Sequence, residues 1–197
     1  MQFTNTDSRL TPRDRLLLAL LSLAFLLPGT FGVSLVDRDE GWYAEVTREM
    51  LASGDWLIPH YLGEPWIAKP PLLYWCVGTL WSIFGISVGV ARLVPVLCTV
   101  GAVQIAGTLT AELTNRRIAL LACLIFISAG LPIVVGKMLL TDGPLLLCCT
   151  AAMLTLWRIT ARGATFTRAG CFWLFVGLAI LAKGPAVVLF VGGFALS

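Results

Sequence analysis

The 197-residue chain is 58% hydrophobic and only 13% charged, with a net charge of +3 and a mean hydropathy of +0.88. Soluble domains carry about 25% charged residues, so this composition excludes an ordinary globular domain, and the small net charge excludes a nucleic-acid binder. Several apolar runs of near-spanning length identify the chain as an all-α polytopic membrane protein, in which the placement of charges matters more than their sum.

Residues 1–14 are polar and read as a cytoplasmic tail. Arg13 and Arg15 then precede an apolar stretch to residue 36. Basic residues before a leucine-rich core also suit a signal peptide, but no small-x-small cleavage site follows, so 15–36 is expected as an uncleaved first span. Residues 37–87 form the expected outer loop. Its first part, 37–71, is the one long polar stretch and holds most of the eleven carboxylates, the single histidine and Lys69 before Pro70-Pro71. Within it, 40–51 is expected to be a short amphipathic helix on the membrane surface. Tyr43, Val46, Thr47 and Met50 share one face, Asp39 caps the start and Gly54 ends it.

The apolar run 72–84 has 13 residues and reaches about 20 Å, short of the ~30 Å hydrocarbon core. Spans are expected at about 88–113, 118–136, 143–160 and 165–183, with 186–197 a sixth that stops partway. Charge placement decides the status of 72–84. If it stays on the outer face, Arg13/Arg15, Arg116/Arg117 and Arg158/Arg162/Arg168 all fall on the inner side. If it crossed, Arg116 and Arg117 would move outside. It is therefore expected to be interfacial or re-entrant. The polar segments 37–71 and 137–142 and Lys183 then share the outer face. The end inside an apolar run suggests the N-terminal part, 15–197, of a larger membrane domain. Of the six cysteines, five lie in apolar runs and none forms a Cys-x-x-Cys pair, so they read as small buried hydrophobes.

Three acids stand out: Asp37, Asp39 and Asp142. Each precedes or opens a helix and taken singly suits a helix cap. Together, on one face at the membrane boundary, they suit chemistry: one carboxylate to take a proton from a nucleophile, another to orient the acceptor or bind a divalent ion. Glu40 beside Asp39 is expected to repel it. Lys69, Lys137, Lys183 and Arg38 are the bases of this face. Snorkelling explains a lysine at a helix end, but Lys69 in a rigid turn beside the acids also suits an anionic headgroup. His60 has no partner at ligand spacing and reads as an interfacial polar residue. A carboxylate base with lysines for a phosphate leaving group points to transfer of a group carried on a lipid phosphate.

Residues 39–56, D-E-G-W-Y-A-E-V-T-R-E-M-L-A-S-G-D-W, and 60–75, H-Y-L-G-E-P-W-I-A-K-P-P-L-L-Y-W, resemble the superfamily of lipid A aminoarabinose transferases and protein O-mannosyltransferases. So do A-R-L at 91–93, T-D-G-P at 141–144 and A-K-G-P at 182–185. These are polyprenyl-phosphate-sugar-dependent glycosyltransferases of the GT-C fold. The resemblance implies a many-helix domain in the cell inner membrane with a periplasmic active site built partly from juxtamembrane helices of the first outer loop. It implies Asp39 and Asp142 as catalytic carboxylates, and Lys69, Lys183, Tyr43 and Glu40 as substrate-binding residues. The implied donor is an undecaprenyl-phosphate sugar and the acceptor a glycolipid such as lipid A, or a protein, with membrane lipids as surroundings and no nucleic acid. No cofactor is assigned; a divalent metal is left open, with no metal ligand assigned. Two positions depart from the pattern: Trp42 replaces a frequent basic residue, and Ala68 replaces a frequent glutamate that aminoarabinose transferases associate with a metal site. The alternative reading is a multi-span transporter of an anionic solute using Lys69 and Lys183. It expects ionisable groups near mid-bilayer, whereas here they collect at one face. A signal-anchored scaffold without chemistry leaves the acidic loop unexplained.

Overall fold

A computed structural model describes residues 9–32, 34–35, 37–185 and 193. Residues 1–8 of the expected tail and nearly all of the expected last span, 186–197, lie outside the described residues. In chain order the elements are α1 (Pro12–Leu26), α2 (Arg38–Ser53), β1 (His60–Tyr61), β2 (Glu64–Pro65), α3 (Leu72–Phe84), α4 (Val88–Leu113), α5 (Arg116–Ser128), α6 (Gly130–Lys137), α7 (Asp142–Arg162) and α8 (Phe166–Lys183). The architecture is all-α apart from a two-residue antiparallel ladder that pairs His60 with Pro65 and Tyr61 with Glu64.

The protein is a multi-pass membrane protein. Helices α4, α7 and α8 are each long and apolar enough to cross a bilayer. The stretch expected as one span over 118–136 is built of two helices, α5 and α6, which meet at Ala129 with a bend of 63°. Gly130 and Pro132 at the start of α6 favour a new helix there over continuation of the old one. Helix α1 is also shorter than the expected 15–36. Its start is fixed by a capping box, Thr11 with Asp14, and by Pro12 at the first helical position. Its end follows from Pro28 and from Gly29 at φ +83°. Its 15 residues reach about 22 Å.

Helix α4 is the central post, against which α1, α3, α5, α6 and α7 pack; α8 packs on α7. Small residues permit the close approaches, as is usual where lipid supplies no hydrophobic drive between helices. A Cβ on Gly143 would lie 3.0 Å from Cα of Pro95, so the start of α7 sits directly on the α4 backbone. A Cβ on Gly107 would lie 2.7 Å from Sγ of Cys123, joining α4 to α5. Cys123, Cys148 and Cys149 are buried among apolar side chains, and the six cysteines are free thiols.

Three contacts fix which ends share a side. Lys137, at the end of α6, donates to the carbonyl of Pro28, just past α1. Arg92, in the second turn of α4, binds Glu40 of α2. Lys183, at the end of α8, binds Asp142 at the start of α7. The chain therefore leaves α1 and enters α4 at the same end of the bundle, and α3 does not change sides. It packs along α2 through Tyr74, Val77 and Trp81, which join Tyr43, Val46 and Met50 in one buried cluster.

Candidate active site

The site grows from α2. Asp37, not Asp39, is the N-cap: its carboxylate accepts from the Asp39 N–H at 3.4 Å. Asp39 is thus a half-buried first-turn residue without the capping role expected of it. Gly54 closes the helix in the left-handed region at φ +73°, as its sequence position predicts. The buried face carries Tyr43, Val46, Thr47 and Met50, and also Glu40.

Glu40 is the main departure. Expected as a substrate ligand that repels Asp39, it is instead fully buried and engaged inside the protein. Its two carboxylate oxygens accept from Nε and a terminal nitrogen of Arg92 at 3.0 and 2.9 Å, and one also accepts from the Leu139 N–H at 2.8 Å. Arg92 in turn donates to the carbonyl of Ser34 at 3.0 Å. A carboxylate and a guanidinium removed from water need such bidentate, fully hydrogen-bonded geometry. One side chain thereby ties the residue next to Asp39, the first turns of α4, and the strand-like link 138–141 that leads into Asp142. Arg92 had been quoted only within A-R-L and given no role. The available signal was an arginine inside an otherwise apolar 26-residue helix, which is costly without a partner.

Asp142 opens α7 and Lys183 closes α8, so each charge favours its helix dipole. The structure brings the two together at 2.5 Å, each about one third exposed. Lys183 thus holds a carboxylate where the resemblance implies a donor phosphate. Tyr43 is buried against Tyr74, with ring centroids 6.1 Å apart. Burial first, and then the charges of Asp39, Asp142 and Asp37, push the Tyr43 hydroxyl up to about 12. All three acids expected on one face therefore act on one phenol, which stays protonated and able to donate at neutral pH.

Lys69 is half-buried and makes no hydrogen bond or ion pair among the described residues. Its segment is anchored by Trp66, whose ring packs tilted against Trp42 of α2 with centroids 5.8 Å apart and whose indole donates to the Tyr74 hydroxyl at 2.9 Å. Trp42 also carries the Arg38 guanidinium 4.5 Å above its ring. His60 belongs to β1 and to no group of metal-ligating side chains. No three His, Cys, Asp or Glu side chains converge among the described residues, and Ala68 offers no ligand.

Beside Asp142 opens a groove of about 350 Å³ between α7 and the bent α5–α6 pair. Leu131, Val135, Leu145, Met153 and Phe126 line it, and Asp142 is its only charged member. The arrangement places an apolar groove beside the Asp142–Lys183 pair.

A profile of the family described as dolichyl-phosphate-mannose-protein mannosyltransferase matches residues 16–197. The undecaprenyl phosphate-alpha-4-amino-4-deoxy-L-arabinose arabinosyl transferase of Edwardsiella ictaluri is 33% identical over 85% of this chain and 31% of its own length. One such transferase of Sodalis glossinidius is 36% identical over 82% of this chain and 30% of its own. The crystal structure of ArnT from Cupriavidus metallidurans bound to undecaprenyl phosphate superposes with a TM-score of 0.80 at 26% identity, covering 88% of this chain and 33% of that one. The chain thus spans about a third of the length of these relatives. These matches give no support to the transporter alternative.

Proposed function

Because the chain belongs to the dolichyl-phosphate-mannose-protein mannosyltransferase family, we propose that the complete protein is a GT-C membrane glycosyltransferase. It moves a sugar from an undecaprenyl-phosphate donor to a lipid A-like glycolipid or a protein. It lies in the cell inner membrane, with Asp39 and Asp142 on the periplasmic face and Arg15, Arg116 and Arg158 on the cytoplasmic one. The observation that carries the reading is the Glu40 junction, which locks the α2 turn bearing Asp39 to the link before Asp142.

The polyprenyl tail enters the apolar groove beside α7, and its phosphate stops at the charged mouth. Asp142 holds the Lys183 ammonium there until the incoming phosphate takes it over, and Lys69 meets the same charge from the loop. An acceptor hydroxyl gives its proton to Asp39 as its oxygen attacks the anomeric carbon. The bond from that carbon to the phosphate oxygen breaks, and the electron pair leaves with the polyprenyl phosphate, inverting the anomeric centre. Where the acceptor is an ionised phosphate, Asp39 orients it instead. Tyr43 lines the sugar site as a neutral donor.

The test follows transfer of label from radiolabelled undecaprenyl-phosphate sugars in native membranes bearing the full-length protein. Asp39→Asn is expected to lower the rate roughly 10²–10⁴-fold at unchanged expression. Lys69→Ala is expected to lower it as well. Full activity in Asp39→Asn sinks the base role, and no transfer by wild type with any sugar sinks the whole reading.

A further inference from the structure

Asp142 and Arg162 stand at opposite ends of α7, whose 21 residues separate them by about 30 Å. At the Arg162 end lies a second cavity, of about 360 Å³, formed by the N-terminal end of α1 and the C-terminal ends of α4 and α7. Leu10, Thr108 and Ala111 line its apolar part; Arg9, Arg15, Arg158 and Arg162 line it with positive charge, against one carboxylate, that of Glu112, among the described residues.

That carboxylate is already committed. Its two oxygens take Arg158 at 2.7 Å and Arg162 at 3.2 Å. Arg15 has only the Thr108 hydroxyl, at 3.2 Å, and Arg9 has no partner among the described residues. The neighbouring pair Asp14–Arg116 shows the contrast: there carboxylate and guanidinium meet at 2.6 and 2.7 Å. Four guanidiniums around one acid leave an excess of three positive charges facing a concave space. Snorkelling explains arginines at helix ends, but it does not explain why they converge on a cavity within the ~300–1,000 Å³ range of ligand sites. Planar guanidiniums recognise phosphate oxygens bidentately, and basic pockets between helices at a membrane boundary suit phosphate headgroups. The cavity exceeds one phosphate group and has an apolar wall for the carbon of an ester.

We propose that this pocket binds a phosphate ester of net negative charge, at the end of the bundle remote from Asp39 and Asp142. Arg9 and Arg15 supply the unpaired contacts, and Glu112 holds Arg158 and Arg162 in position. The site is separate from the donor groove and does not depend on the transfer reaction.

The full-length protein in detergent is titrated with phosphatidylglycerol or phosphatidylcholine and bound lipid is counted by native mass spectrometry. Wild type is expected to retain phosphatidylglycerol preferentially. The double variant Arg9→Gln with Arg15→Gln is expected to lose roughly tenfold in that affinity, with an unchanged unfolding temperature. Arg117→Gln, an exposed charge at the same end but outside the pocket, should change it less than about twofold. Arg15→Lys should recover part of the loss. Inorganic phosphate is then added as competitor. Displacement assigns the pocket to free phosphate as well as esters, and failure to displace assigns it to the lipid headgroup. Equal loss in Arg117→Gln, or no loss in the double variant, overturns the proposal and leaves only surface charge.

Discussion

The α2–α4 junction and the α7–α8 junction are built from the same chemistry, one carboxylate and one cation each, yet they suit opposite tasks. Glu40 and Arg92 are 0% and 5% exposed, doubly hydrogen-bonded and further tied to Leu139 and Ser34. Asp142 and Lys183 are 34% and 32% exposed and share one contact. A buried bidentate pair cannot release a partner without stranding a charge in low dielectric. A half-exposed pair can, because water replaces what is lost. The first junction is a fixed frame, and the second has the freedom to exchange its carboxylate for a phosphate. The residues beside the frame, Asp39 and Asp142, are the ones left open.

The largest effect should therefore come from the frame. Arg92→Ala in the full-length protein is expected to cost about 3–5 kcal/mol, because it abandons the Glu40 carboxylate. Thermal unfolding in detergent checks this. Arg92→Lys should recover little, since an ammonium cannot reproduce the two-point contact. A change below about 1 kcal/mol would mean that Glu40 is not held as the structure places it, and the contrast between the junctions would fall.

Tyr43 comes next, between the two junctions. Its hydroxyl is raised from 10.0 to about 12. Below pH 10 the phenol is neutral folded or unfolded, and its contribution is fully present. As pH rises from 10 through 12 the unfolded chain ionises first, and the fold loses roughly 2–3 kcal/mol from this group. Tyr43→Phe cannot ionise, so its unfolding temperature should fall less steeply than wild type over that window. Parallel curves would show that burial and the neighbouring acids do not hold the Tyr43 phenol neutral.

Close packing of α7 on α4 gives a smaller term. Gly143→Ala puts a methyl 3.0 Å from the Pro95 backbone, and backbone cannot step aside as a side chain can. A loss of about 1–3 kcal/mol is expected. Since Gly143 follows Asp142, transfer activity should fall further than stability alone dictates. Activity that tracks the folded fraction would mean that the position of Asp142 is not critical.

Much of this was legible in the sequence, and the failures have physical causes. The α2 face was readable because Tyr43, Val46, Thr47 and Met50 keep helical period and Gly54 marks the end. The lengths of α4 and α8 followed from apolar runs. The break between α5 and α6 was hidden because Gly130 and Pro132 lie in an uninterrupted apolar stretch, where hydropathy outweighed their backbone meaning. Pro28 and Gly29 were overlooked at the end of α1 for the same reason. The hairpin was not legible at all. Its turn places Leu62 at φ +53° and Gly63 at φ +80°, and leucine is a poor signal for a left-handed position. What offsets that cost is distant: the Glu49 carboxylate accepts from the Leu62 and Gly63 N–H groups at 2.7 and 3.2 Å. Of the expected site, Asp142 and Lys183 meet in an ion pair, and the Tyr43 phenol carries the charges of Asp39, Asp142 and Asp37. Glu40 does not face outward, because only the fold reveals that Arg92 lies opposite it.

The smallest stability effect should accompany one of the largest losses of activity. Asp142→Asn keeps the size and much of the polarity of the side chain. It gives up one partly exposed ion pair and one favourable charge at a helix start, together worth up to about 2 kcal/mol. Unfolding should thus change far less than in Arg92→Ala. Transfer should drop sharply, because Lys183 would no longer be held at the groove mouth. Lys183→Gln should match it in stability but lower activity mainly through a raised KM for the polyprenyl-phosphate donor, since it removes a charge that meets the phosphate in ground state and transition state alike. If Asp142→Asn proved as destabilising as Arg92→Ala, the second junction would be a frame like the first, and exchange of carboxylate for phosphate would have no place in the reaction.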